Sequence, residues 1–213
     1  MTPDEYAAIK AHLYMSPPVN GVRYQSSFIA VLGDTRSAAE RDPDGVVLPG
    51  RLSMSWLAAT GYLVLLDQIG TCFETQGKQT IADNNSIIRA LKYFSHVQDD
   101  PTLGALVALR NALTHDYGLY NRDNNKSSLR HHAFNYGADE TTPLVQLPKR
   151  RWSGRWDTNI PEEETTIVNL RKVGDLAEEV VATLRSNHEA ETLVLRLPLP
   201  EFRVRFGMRF PVF

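Results

Sequence analysis

The stretch "ALRNALTHDYG", residues 108–118, decides how this chain is read. It continues a run of Leu, Ala and Val, yet it sets Arg110, Asn111, His115 and Tyr117 into the last two turns of the helix that its spacing predicts. Asp99-Asp100-Pro101 supplies the start of that helix, with an acidic cap and a proline where a missing N–H costs nothing. Leu103, Leu106, Arg110, Leu113 and Tyr117 then fall on one stripe at steps of three and four. Arg110 thus fills a slot that the pattern assigns to an apolar side chain. An unpaired guanidinium in a bundle core costs on the order of several kcal/mol, so the stripe must face an anion, a cavity or a subunit seam. Asn111 and His115, four apart, line the neighbouring stripe, and Gly118 stands at the C-cap position.

Arg110 and His115 diverge by about 140° on an ideal helix, so within one subunit they do not converge on a point. A two-fold axis near the helix end would bring both pairs into one cleft. A simpler reading stands beside this one. A histidine in a last turn complements the helix dipole, and a lone arginine on an apolar stripe snorkels to solvent.

Working outward, the first two thirds of the chain read as helical. Pro3-Asp4-Glu5 opens a short helix that ends at Ser16–Gly21. A second runs from about Ser26 to Arg41 and stops at the turn Asp42-Pro43-Asp44-Gly45. A third begins near Ser53 and carries Trp56, Leu57, Tyr62, Leu63, Leu66, Ile69 and Phe73, apolar on more than one side and therefore central. Asp83-Asn84-Asn85-Ser86 caps a shorter one with Ile87, Ile88, Leu91 and Phe94. After the polar loop 121–128 come three β-like pieces, "HHAFNY", "PLVQL" and "TTIVNL". Val173, Leu176, Ala177, Val180, Val181 and Leu184 mark one more amphipathic helix. The tail "TLVLRLPLPEFRVRFGMRF" alternates as strands do, broken at Pro198 and Pro200, and reads as a short strand pair at the C-terminus.

Arg110-Asn111, then His115, then Tyr117 resembles the Arg-x4-His-x-Tyr motif of HEPN-domain ribonucleases (higher eukaryotes and prokaryotes nucleotide-binding). The motif covers residues 110–117, and a compatible helical setting extends over about 50–120 and 173–187. The resemblance implies a mainly α, HEPN-like helical bundle that forms homodimers, with both copies of the motif in one cleft. The expected layout is a single domain, 1–213. Within it, 1–120 form the bundle, 121–172 a β-rich insert, 173–188 the last bundle helix and 190–213 short C-terminal strands. The insert departs from the minimal HEPN bundle.

The activity this resemblance implies is metal-independent cleavage of RNA. Histidine suits proton transfer because its ordinary pKa, about 6.5, lies near neutrality. Arginine suits phosphoryl oxygens because its fork donates in a plane and stays charged. His115 is assigned to proton transfer, Arg110 to transition-state charge and Asn111 to orientation. The expected product is a 2′,3′-cyclic phosphate. Tyr117 matches the tyrosine that is adenylylated in HEPN toxins paired with a nucleotidyltransferase antitoxin, which makes such an antitoxin a candidate partner. A toxin or defence role fits the same resemblance. Two other readings stay open: a non-catalytic HEPN-like module that binds nucleotide or protein and keeps the motif as a dimer-seam network, and an unrelated helical protein.

Lys149, Arg150, Arg151 and Arg155, interleaved with Trp152 and Trp156, form a second candidate, pairing phosphate charge with base stacking. An exposed turn whose tryptophans pack on the bundle explains the same residues. His131 and His132 are adjacent, so on a strand they point to opposite faces and cannot chelate one metal together. Without a Cys cluster or His pairs at helical spacing, no metal and no cofactor is expected. The glycines form no phosphate-binding pattern.

Bulk composition agrees with an ordinary globular chain: of 213 residues, 42% are hydrophobic and 23% charged. A net charge of −2 gives no overall field for nucleic acid, so RNA must be met by a local patch. Cys72 is the single cysteine, which excludes an internal disulfide and suits a reducing compartment. The first twenty residues carry no basic-then-apolar leader pattern. The most apolar stretch, 54–69, is too short and too polar for a membrane span. A cytoplasmic setting without membrane contact is expected.

Overall fold

Six helices begin at a residue whose side chain accepts a backbone N–H of the first turn, a contact worth about 1 kcal/mol each. In the computed structural model, which describes residues 1–15, 22–48, 55–121, 130–136, 141–155 and 159–211, these are α1 to α6. Thr2 and Glu5 form a reciprocal capping box on α1 (Pro3–Leu13), and Ser26 caps α2 (Ser27–Ala38). Ser55 caps α3 (Trp56–Cys72), Asn85 caps α4 (Ser86–Phe94), Asp99 caps α5 (Asp100–Asp116) and Asn169 caps α6 (Leu170–Glu189). The expected turn at 16–21, the onset of the third helix near Ser53 and most of the polar loop lie outside the described residues. Asn121, read as loop, is a buried strand residue.

Helix α3 is the hub. Ala58, Ala59, Tyr62, Leu63, Leu65, Leu66 and Ile69 on it are fully buried, and α2, α4, α5 and α6 all pack against it. The α3–α4 crossing is close because Gly70 has no side chain. A Cβ there would stand 1.7 Å from the Ser86 carbonyl oxygen, so only glycine lets the start of α4 reach α3. Leu57, expected in the core, is 63% exposed, and Val64 on the same face is 37% exposed.

The expectation of a mainly α bundle with a peripheral β insert is overturned: the fold is mixed α/β. Eight strands occur among the described residues: β1 (Val22–Ser26), β2 (Phe73–Thr75), β3 (Tyr120–Asn121), β4 (Arg130–Asn135), β5 (Val145–Gln146), β6 (Thr165–Asn169), β7 (Leu193–Leu195) and β8 (Gly207–Pro211). Strands β3-β4-β6-β5 form a four-stranded sheet in that order, with β4 and β6 parallel and His131 opposite Thr165. This sheet is built into the core. Val168 and Leu170 are fully buried, and Asn169 both ends β6 and caps α6. Phe134 of β4 packs edge-on against Trp56 of α3, ring centroids 5.1 Å apart.

The tail corrects a second expectation. Its two strands do not pair with each other: β7 pairs with β2 and β8 with β1, both antiparallel. Between them lies α7 (Leu199–Phe206), where alternation predicted strand. Pro200 in the first turn, Glu201 paired with Arg205 at 2.9 Å, and Phe202 and Phe206 four residues apart all favour helix there. The last helix of the fold is therefore α7, not the helix after the β-rich segment. Phe202 enters an aromatic cage with Phe28 and Phe73 around the fully buried His12, and burial pushes that imidazole down to about 3. No helix among the described residues is long and apolar enough to cross a membrane.

Candidate functional site

Arg110 sits where the stripe argument put it, and the structure supplies its anion. Leu103, Leu106 and Leu113 of that stripe are buried in the core, while Arg110 emerges at the rim with 28% of its side chain exposed. Its Nη2 donates to Asp67 Oδ2 of α3, and its Nη1 donates to Asn111 Oδ1 at 2.9 Å. Asp67 Oδ1 accepts the hydroxyl of Ser86, the first residue of α4. One carboxylate therefore ties three helices together, and the glycine-permitted crossing at Gly70 brings Ser86 to it. The guanidinium offers five N–H groups, and these two bonds leave one on each terminal nitrogen. Its Nε is buried without a hydrogen-bond partner among the described residues.

Asp67, Ser86 and Arg89 are site residues that the motif did not name. Arg89 donates from Nε to the Gly70 carbonyl at 3.0 Å and from Nη1 to the Asp83 carbonyl at 2.7 Å. Burial lowers its pKa, as does the charge of Arg196, while Asp83 and Asp67 act in the opposite sense. Asp67 thus acts on two guanidinium groups, Arg110 through an ion pair and Arg89 through its field. The signal for Asp67 was present in the sequence. It is the carboxylate inside the most apolar stretch, and an acid there needs a cation as surely as Arg110 needs an anion.

His115 lies in the last turn of α5, exposed, with no hydrogen-bond or ion-pair partner among the described residues. The structure does not bring it to Arg110 within the chain, consistent with the divergence expected from helix geometry. Tyr117, rather than Gly118, ends the helix in the left-handed region, at φ 48° and ψ 41°. That conformation costs a non-glycine residue about 1–2 kcal/mol and is a common way to end a helix, shared here with Glu40 after α2 and Glu191 after α6. The Tyr117 ring is 52% exposed and rests 5.8 Å from the ring of Trp56. Tyr117, Leu57 and Val64 are exposed apolar side chains on α3 and at the end of α5, the helices that carry Asp67 and Arg110.

In the basic, aromatic loop, Trp152 does not offer an exposed stacking face. Trp152 is buried, packing edge-on against Tyr120 at 4.8 Å and against His131 at 6.1 Å. Arg150 is engaged by Glu163 at 2.7 Å and Glu164 at 3.1 Å. Lys149, Arg151 and Arg155 are exposed, and Trp156 lies outside the described residues. His131 and His132 do point to opposite faces. His132 is fully buried with Nδ1 facing the Leu119 carbonyl at 3.2 Å, and burial lowers its pKa to about 4. Among the described residues no group of three or more His, Cys, Asp or Glu is placed to hold a metal ion. The chain matches no protein-family model, no curated protein and no solved structure.

Proposed function

We propose that the chain is a metal-independent endoribonuclease that works as a homodimer, with Arg110 and His115 of both copies in one cleft. The observation that carries this reading is the end of α5. It presents a partly exposed guanidinium with N–H groups to spare, an exposed imidazole and an exposed tyrosine, with Leu57 and Val64 exposed on α3. Exposed apolar side chains on the helices that carry the polar groups suit a subunit contact through which a second copy closes the cleft.

In that cleft the 2′-hydroxyl attacks the adjacent phosphorus. The O2′–P bond forms, the P–O5′ bond breaks, and the products are a 2′,3′-cyclic phosphate and a free 5′-hydroxyl. His115 takes the proton from O2′, and His115 of the partner subunit gives one to O5′. Arg110 donates to the non-bridging oxygens as charge builds on them, with Asp67 and Asn111 fixing the plane of its fork. Asp67 is therefore a positioning residue. A toxin or defence role, a nucleotidyltransferase-type antitoxin acting on Tyr117, and a cytoplasmic setting belong to the same proposal.

The Arg110–Asp67 pair favours a second reading, in which the motif only stabilises the fold or seam and the protein binds nucleotide or protein without cleaving. Incubating mixed RNA with EDTA separates the two. Catalysis requires cleavage by the wild type and its loss in folded Arg110→Ala and His115→Ala. Equal RNA integrity with all three proteins leaves the binding reading.

A further inference from the structure

A pocket of about 510 Å³ lies between α2, the 41–45 turn and α6, away from the motif's residues and within the size range of small-molecule sites. Its apolar lining includes Met15, Ile29, Leu32 and Pro43, and three guanidinium groups reach it, from Arg36, Arg41 and Arg185.

Two of those cations are matched. Arg36 donates Nε and Nη2 to both oxygens of Glu178, at 2.9 and 2.6 Å, and Nη1 to the Pro43 carbonyl. Arg41 pairs with Asp175 and donates to the Gly45 carbonyl at 2.8 Å. Arg185 is not matched. Its Nε and Nη2 share the Leu13 carbonyl, at 3.3 and 3.0 Å, and it stacks over the Tyr14 ring at 5.3 Å. Among the described residues no carboxylate lies within ion-pair distance of it. Burial and the nearby charge of Arg36 disfavour its charged form, while the charges of Glu178 and Asp44 act in the opposite sense. Asp42, the carboxylate on the pocket wall, uses one oxygen to accept the N–H groups of Asp44 and Val46 at 2.9 Å each.

The second observation is Gly33, in the interior of α2 and on the pocket wall. Glycine is disfavoured inside a helix relative to alanine. Where a neighbour crowds it, the choice has a packing reason, as at Gly70. At Gly33 an added Cβ would meet nothing within 4 Å among the described residues. Gly33 is exposed, and no neighbour among the described residues requires a glycine there; a large side chain at 33 would stand on the pocket wall.

The geometry points to a binding site for a small organic anion, a carboxylate or phosphate group on a compact apolar body. The anionic head pairs with Arg185, whose unused N–H edge suits a two-oxygen acceptor. The body lies against Ile29 and Leu32 over Gly33.

Isothermal titration of the full chain with 3-phenylpropionate, phenyl phosphate and the neutral 3-phenylpropan-1-ol tests this. Saturable binding of at least one anion is expected, with the neutral alcohol about tenfold weaker or more. The better anion identifies the head group. Arg185→Met and Gly33→Leu should each weaken the binding about tenfold or more, while Arg203→Met, on the exposed face of α7, leaves it unchanged. Gly33→Ala should raise the melting temperature. The proposal is overturned if neither anion saturates below about 10 mM, if the alcohol binds as well, or if Arg185→Met binds like the wild type. A lower melting temperature for Gly33→Ala overturns the open-space argument. None of these results depends on RNA cleavage.

Discussion

Replacing Asp67 by asparagine keeps the shape of the side chain, leaves an oxygen for the Ser86 hydroxyl and removes the charge that holds Arg110. At contact distance and an effective dielectric near 20, the gross attraction between unit charges is about 4–5 kcal/mol. Desolvation and side-chain ordering offset much of it. With 26% of Asp67 and 28% of Arg110 exposed, the pair lies between a surface ion pair and a buried one. The net loss expected for Asp67→Asn is about 1–3 kcal/mol, enlarged because Arg110 Nε is already buried without a partner. Urea unfolding of the wild type, Asp67→Asn, Arg110→Met and the double variant gives the coupling energy directly. About 1–2 kcal/mol is expected. A coupling below about 0.3 kcal/mol would refute the claim that Asp67 fixes the guanidinium.

Gly70→Ala should destabilise by about 3 kcal/mol or more, since its Cβ must displace backbone at the α3–α4 crossing, and a denaturant midpoint near that of the wild type would contradict the crossing described. His12 and His132 carry folded pKa values of about 3 and about 4, below an unfolded value of about 6.5. The unfolded chain therefore binds more protons between those limits, and stability falls as the pH drops below about 6.5. Each histidine contributes a slope of up to about 1.4 kcal/mol per pH unit. Urea unfolding from pH 7 to pH 4.5 checks this, and His12→Met should remove about half of the histidine slope; an unchanged slope in that variant rules out the cage as its origin. Trp152→Ala should cost about 3–5 kcal/mol in stability, as for a core aromatic, whereas exposed Lys149→Ala should stay within about 0.5 kcal/mol; equal midpoints for the two would contradict the burial of Trp152.

How far the sequence could be read depended on whether the signal was local. Caps, apolar stripes and the helical content of the first 120 residues are local, and Asn85, Asp99 and the stripe of α6 mark their helices well. Three strands of the four-stranded sheet were legible as β-like pieces, but β3, two residues long, and the parallel pairing of β4 with β6 across distant segments were not. Period-two alternation misled at 199–206, where Phe202 and Phe206 fit either period and tertiary burial of Phe202 decides for helix. In the site, Arg110 was legible as an anomaly on an apolar stripe. Its partner was not paired with it, since 43 residues separate Asp67 from Arg110 and only the α3–α5 packing joins them. Trp152 illustrates the opposite error: composition alone cannot distinguish a stacking aromatic from one that closes the edge of a sheet.

The central claim concerns the chemistry at the end of α5, and a defined oligoribonucleotide in EDTA tests it most directly, alongside its 2′-O-methyl counterpart. The wild type is predicted to cut the ribose strand and leave 2′,3′-cyclic phosphate ends, with the 2′-O-methyl strand intact and both strands untouched by Arg110→Ala and His115→Ala. Cleavage of the 2′-O-methyl strand, or equal cleavage by the wild type and both variants, would contradict the account.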